Sequence, residues 1–464
     1  MRALARTRTD LRTPQTALIR TRLTTTLVAF VALLGLGLGG FALTRDGGSA
    51  ALAASSNPAT PGSFTGYGFD QCLAPTQSKM DAWLDNSPFL SVGIYISGNS
   101  RACRSQPNLT PTWVSTQLAK GWRLLPITLG PQASCQPRFP RYNDDPTINP
   151  DPASWWSKAK AQGTLEAERA VTAAQGLGIV PGSTLFYDLE GFDLSNTNCR
   201  ESALRFVHAW TGRLHELGYV SGFYSSASSG IKMVDDARVN HPGTFNLPDV
   251  LWVARWDGQA NTSVDSSYLR STGWTGGSRV KQYQGGHDET WGGTTINIDR
   301  NFLNVGGGSR AATETHCGGV TVDFPDYPQL SPGTSSPEVR ALKCLLREQG
   351  MTGLRLNDYF GTGLRTAMRT WQSRNGFTPT DKWLRGHWTA LLARGGSGWQ
   401  KQGSSGASVW RLQRALNAKK IDAPVSGVFD YATTNAVKSY QSARSMPTTG
   451  VVTPDTWKVL LAGK

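Results

Sequence analysis

The stretch LFYDLEGFD, Leu185 to Asp193, places three acids in what otherwise reads as a buried apolar strand. Side chains alternate along a strand, so Tyr187 and Leu189 share one face while Asp188 and Glu190 share the other. A strand with one apolar face and two acids at its C-terminal end suits a barrel, where functional groups gather at the ends of the strands. Asp193 falls outside this alternation and reads as a loop residue.

Seven further segments outward from this one have the same strand-like character: YGFD (67–70), LSVGIYI (90–96), RLLPITLG (123–130), VSGFYSS (220–226), VLWVARW (250–256), VKQYQG (280–285) and NIDRNF (297–302). Helix-like runs separate several of them, most clearly 153–178 and 201–218. The latter carries Leu204, Val207, Leu214 and Leu217 on one side and stops at Gly218. Eight strands with intervening helices predict an α/β domain, a (β/α)8-like barrel over 64–305. A doubly wound sheet is the alternative, but no Gly-rich phosphate loop follows the first strand.

The 464-residue chain carries a formal charge of +14, and residues 1–53 contribute seven Arg against two Asp. Six of the arginines precede the apolar run Leu27 to Leu43, Arg45 follows it, and Ala51-Leu52-Ala53 offers a small-residue cleavage site. Residues 1–53 therefore read as a signal peptide or signal-anchor, and the protein as secreted or associated with the cell wall. Any membrane contact is expected only through that anchor. Without it 40 basic and 31 acidic side chains remain, a balance that favours anionic polymers. No basic cluster or zinc-finger spacing points to nucleic acid. The six cysteines, Cys72, Cys103, Cys135, Cys199, Cys317 and Cys344, permit three disulfides. Cys317 with Cys344 is the favoured pair. No CxxC spacing suggests a metal, and no cofactor is expected.

Residues 54–63 and 306–330 read as linkers. Beyond the second lies a repeat, 331–394 and 402–464, in which Phe360 and Phe429, Trp371 and Tyr440, and Trp388 and Trp457 recur at one constant offset. Each copy predicts three short helices around a small core. Both resemble the three-helix peptidoglycan-binding domain of cell-wall hydrolases. The second copy carries Leu412-Gln413, Gly427-Val428-Phe429, Ala436-Val437, Tyr440-Gln441 and Thr456-Trp457, departing at Asp430 and at Thr449-Gly450. The first copy has Lys343-Cys344 where Leu-Gln is usual. The resemblance implies a wall-anchoring role and a peptidoglycan partner; the protein is expected to be monomeric.

Two more acids fall on the outermost strands: Asp70 in GFD and Asp299 in NID. Glycoside hydrolysis needs a proton donor and a negative partner, and crowding raises the pKa of one acid. Glu190, with its longer reach, is the expected acid, and Asp188 its partner. The aromatics Tyr67, Tyr95, Tyr224, Trp252, Trp256 and Tyr283 cluster at strand ends and could stack on sugars. Arg255, Gln282 and Gln284 could hold polar substituents. Packing and structural ion pairing are the competing explanations for all of these.

The order GFD, YDLE, GFYSS, LWVARW, KQYQ, NIDRNF resembles the barrel lysozymes, and more closely the exported glycoside-hydrolase-like domains of actinobacteria. It implies a lysozyme-like hydrolase of the peptidoglycan glycan with Asp70, Asp188, Glu190 and Asp299 at the lysozyme acid positions. The insert from Arg138 to Asp151 and the lack of an acid after LLPITLG depart from the pattern. A catalytically silent glycan-binding barrel and a hydrolase of another glucan are the alternatives.

Overall fold

The computed structural model describes residues 56–136 and 144–464. The apolar N-terminal run and part of the insert lie outside them. No helix among the described residues is long and apolar enough to cross a membrane. Eight strands close into one barrel in sequence order: β1 (Phe64–Asp70), β2 (Phe89–Ser97), β3 (Arg123–Thr128), β4 (Thr184–Asp188), β5 (Val220–Ser226), β6 (Val250–Ala254), β7 (Ser278–Trp291) and β8 (Thr294–Val305). All eight expected segments are strands. Among the described residues, five α-helices cover the outside: α1 (Gln77–Asn86), α2 (Pro111–Ala119), α3 (Ala153–Gly176), α4 (Thr197–Glu216) and α5 (Lys232–Asn240).

β1 to β7 pair in parallel, but β8 is antiparallel to both β7 and β1. The connection is the two-residue turn Gly292-Gly293, with φ of 57° and 72°. Positive φ at both positions defines the hairpin turn that glycine permits, and so short a link can join only antiparallel strands.

Local chemistry sets the helix ends. Thr76 caps α1 by accepting from Lys79, and Asn196 caps α4 by accepting from Cys199. Gly218 ends α4 at a φ of 79°, the left-handed C-terminal glycine that the sequence predicts. Leu204, Val207 and Leu214 are buried, and Leu217 packs at the edge of the same core. Helices α3 and α4 meet at Gly163, where a Cβ would lie 2.3 Å from the Phe206 carbonyl oxygen.

Two three-helix modules follow: α6 (Pro337–Glu348), α7 (Thr362–Arg374) and α8 (Arg385–Leu392), then α9 (Ala407–Ala418), α10 (Tyr431–Ser442) and α11 (Pro454–Leu461). All six repeated aromatics are buried. Equivalent bonds recur as well: Trp388 Nε1 donates to the Pro328 carbonyl at 2.8 Å and Trp457 Nε1 to that of Gly398 at 2.9 Å. Two of the departures from the family pattern, at Lys343 and Asp430, have local explanations. Gln413 ties down the turn before α10 through Gly427 and Val428. Lys343 does the same for the turn before α7, donating to the carbonyls of Asn357 and Tyr359. Asp430 is the N-cap of α10, accepting from Thr433 at 2.8 Å.

The second module docks against the end of the barrel where the parallel strands begin. Lys401, buried, donates to the carbonyls of Leu84 (2.5 Å), Ser87 (2.9 Å) and Phe89 (3.2 Å). These lie around the C-terminus of α1, where unpaired carbonyls favour a cation. Ser309 Oγ donates to the Gly403 carbonyl at 2.6 Å. The opposite end, where β1 and β4 finish, is left to the acids. Three disulfides are present: Cys72–Cys103, Cys135–Cys199 and the expected Cys317–Cys344.

Candidate functional site

Asp70 and Asp188 are the last residues of β1 and β4. Alternation turns both inward, because their neighbours are committed to the helix layer. The Phe69 ring lies 4.8 Å from that of Trp83, and the Tyr187 ring 4.6 Å from that of Phe206. Asp299 stands opposite Asp70 in the β1–β8 register. It reaches the mouth from partway along β8, because that strand runs downward. On β2, Gly93 leaves the space: a Cβ there would lie 2.5 Å from the Asp70 Cβ.

Asp70, 4% exposed, accepts from Asn301 Nδ2 at 2.6 Å and from Gln282 Nε2 at 3.3 Å. Burial pushes its pKa well above the usual carboxylate range, and the charge of Asp299 adds to this against the two amide bonds. The amides are themselves anchored. Trp252 Nε1 donates to Asn301 Oδ1 at 2.8 Å. Gln282 Oε1 accepts from Tyr224 at 3.0 Å and Trp256 at 2.9 Å. Asp299 is raised to about 6, first by burial and then by the charge of Glu190.

Asp188 Oδ2 accepts from the Tyr95 hydroxyl at 3.3 Å. Gln132 clamps the backbone around it, donating to the Asp188 carbonyl and accepting from Glu190 N–H, both at 2.9 Å. Glu190, just beyond the strand, is half-buried. The structure brings the four acids together. The Tyr224 hydroxyl is raised well above the ordinary tyrosine range by burial, then by Glu190, Asp188, Asp70 and Asp299 in that order. A cavity of about 220 Å³ opens here, lined by Asp70, Gln71, Tyr95, Arg101, Leu129 and Asp299 among others, with Cys72–Cys103 at its edge.

The expected sugar-binding residues divide. Tyr95, Tyr224 and Gln282 reach the acids. Trp256, 66% exposed, leans over Gly285, where a Cβ would lie 2.5 Å from its ring. Trp252 is a correction: it is buried and braces Asn301 from below. Tyr67 and Tyr283 are corrections of a different kind. Tyr67 packs edge-on against Phe302 at 5.3 Å, and Tyr283 lies beside Arg300. Phe302 and Arg300 alternate with Asp299 and Asn301, so both tyrosines face the outside of the sheet. Arg255 is exposed, its guanidinium 5.5 Å from the Tyr268 ring centre rather than on the acids. Asn301, Gln132 and Arg101 escaped the sequence reading. Asn301 could have been found, since it is two residues from Asp299 and must share its face.

Residues 81–303 match the model of the Rv2525c-like, glycoside hydrolase-like domain. The barrel is a glycoside-hydrolase-like domain. Residues 405–460 match a peptidoglycan binding domain model, so the glycoside-hydrolase-like barrel is followed by a wall-polymer-binding module. No curated protein matches the chain. Similar solved structures include an uncharacterized B. stearothermophilus protein, 18% identical over 51% of this chain and 95% of that one, TM-score 0.32. Another is the Mycobacterium tuberculosis Tat-secreted protein Rv2525c in complex with L-tartrate, 14% identical over 52% and 95%, TM-score 0.34. A third is the catalytic domain of endolysin ply40 from Listeria monocytogenes bacteriophage P40, 17% identical over 52% and 93%, TM-score 0.31. Likenesses this distant carry no inference about chemistry.

Proposed function

We propose that this is an exported cell-wall glycosidase that cleaves the β-linked aminosugar glycan of peptidoglycan by a retaining, lysozyme-like mechanism. The observation that carries the reading is the convergence of four carboxylates on one barrel mouth, at the end away from the docked module. Burial and then the charge of Glu190 raise Asp299 to about 6, so Asp299 holds a proton beside Glu190 up to about that pH. Glu190, with the longest reach of the four acids, donates a proton to the bridging oxygen as the glycosidic bond breaks and the bond's electron pair leaves with the departing sugar. The acetamido oxygen of the retained sugar closes on the anomeric carbon, with Asp188 accepting its N–H. Water, deprotonated by Glu190, then opens that ring with net retention. Asp70, locked by Asn301 and Gln282, shapes the field beneath. Both helical modules hold the wall polymer, and the arginine-rich N-terminus directs export.

Incubation of the full chain with purified walls tests this by the ends released. New reducing aminosugar ends are expected. Binding to walls without release would instead favour a silent scaffold.

A further inference from the structure

Among the described residues, the cavity is lined by one cation that the proposed chemistry does not use. Arg101 follows β2, and its guanidinium is held by two backbone carbonyls: Nε donates to Gly98 at 2.8 Å and a terminal nitrogen to Tyr95 at 3.2 Å. Three of its five N–H groups remain. Burial and the nearby Arg104 push its pKa down, and no acid offsets them. Among the described residues Arg101 has no carboxylate within ion-pair distance, whereas Arg104, three residues on, has Asp145 at 2.8 Å. Asp70, which lines the same cavity, is taken by two amides.

The loop is built to hold this cation in place. Gly98, at φ 98°, crosses so close to β3 that a Cβ would lie 2.2 Å from the Leu129 backbone. Ser100 N–H donates to the Leu129 carbonyl at 3.0 Å. Cys103, two residues beyond Arg101, is joined to Cys72 at the end of β1. An oriented, partly desolvated guanidinium with free donors and no counter-ion among the described residues matches the two oxygens of a carboxylate.

We infer that Arg101 is a specificity-determining residue that binds a carboxylate carried by the glycan, so that the mouth selects acidic aminosugar strands over neutral ones. This rests on the proposed glycan substrate and adds its charge. The geometry favours a carboxylate close to the sugar ring, such as an ether-linked lactyl group, because Arg101 lines one cavity with Asp70 and Asp299.

Calorimetry on the full chain in a Glu190→Gln background tests it with three probes of equal length. They are peptide-free wall oligosaccharides bearing lactyl carboxylates, their methyl esters, and N-acetylglucosamine oligomers. With Arg101 present, the acidic oligosaccharide is expected to bind about tenfold or more tighter than the other two. Arg101→Met should abolish that preference and leave neutral binding within about twofold. Arg101→Lys, retaining charge without the fork, should fall between. Equal binding of all three probes, or equal loss on all three in both variants, overturns the inference. The two readings separate cleanly. Arg101-dependent binding with no ends released by the unmutated chain sinks the hydrolase reading alone. Ends released with no dependence on Arg101 sinks the carboxylate site alone.

Discussion

The side-chain amide of Asn301 donates to Oδ1 of Asp70 at 2.6 Å, the shortest of the bonds that reach this buried acid. Its own oxygen is filled by the Trp252 indole, so its orientation is fixed. Asn301→Ala would leave a buried indole N–H and part of a buried carboxyl without partners. The expected loss is about 1–3 kcal/mol in urea unfolding. Because the bond lowers the Asp70 pKa, its removal should also drive that value further upward, visible as a shifted carboxyl titration by NMR.

Asp70 and Asp299 both bind protons more tightly folded than unfolded. Each therefore stabilises the fold fully below the unfolded carboxyl range near pH 4, and that contribution fades as pH rises through the folded value. For Asp299 the window is from 3.8 to about 6. Asp299→Asn should flatten the fall in stability across this window. It should raise stability at pH 7.5 by no more than roughly 3 kcal/mol, the equivalent of the whole shift. Thermal unfolding at pH 4.0 and 7.5 measures both.

Lys401→Met would remove the ammonium that satisfies three carbonyls around the end of α1. Burial lowers this amine to about 7, so at pH 6, where it is charged, a loss of about 2–3 kcal/mol is expected, since bonds to charged groups exceed neutral ones. Loosening should concentrate at the module contact, so hydrogen exchange should rise at Leu84 to Phe89 and around Lys401 ahead of the barrel strands.

Trp256 is the aromatic best exposed at the mouth. Trp256→Ala should weaken glycan binding about tenfold, as loss of one stacking face implies. Stability should change little. A KM rise with nearly unchanged kcat is the expected signature.

Strand order and helix positions were legible because apolar alternation and capping residues are local signals. The acids at 70, 188, 190 and 299 were legible for the same reason: they interrupt strands. The β7–β8 hairpin, turned at Gly292-Gly293, was not read from the sequence, because strand counting alone conceals direction. Tyr67 and Tyr283 were misjudged by proximity to strand ends, when parity puts them on the outer face beside Phe302 and Arg300. Trp252 could not be separated from Trp256, because an aromatic's depth depends on the closed barrel. Arg101 was hidden because its position depends on Gly98 crossing Leu129 and on a disulfide whose pairing the sequence left open.

The central claim is that Glu190 delivers the proton that cleaves the glycan. Clearing of a purified cell-wall suspension at pH 6 by the unmutated chain and by Glu190→Gln measures it most directly, with wall binding followed in parallel. Glu190→Gln should lose at least about a hundredfold in rate while binding walls as before. Undiminished clearing by Glu190→Gln would contradict the account.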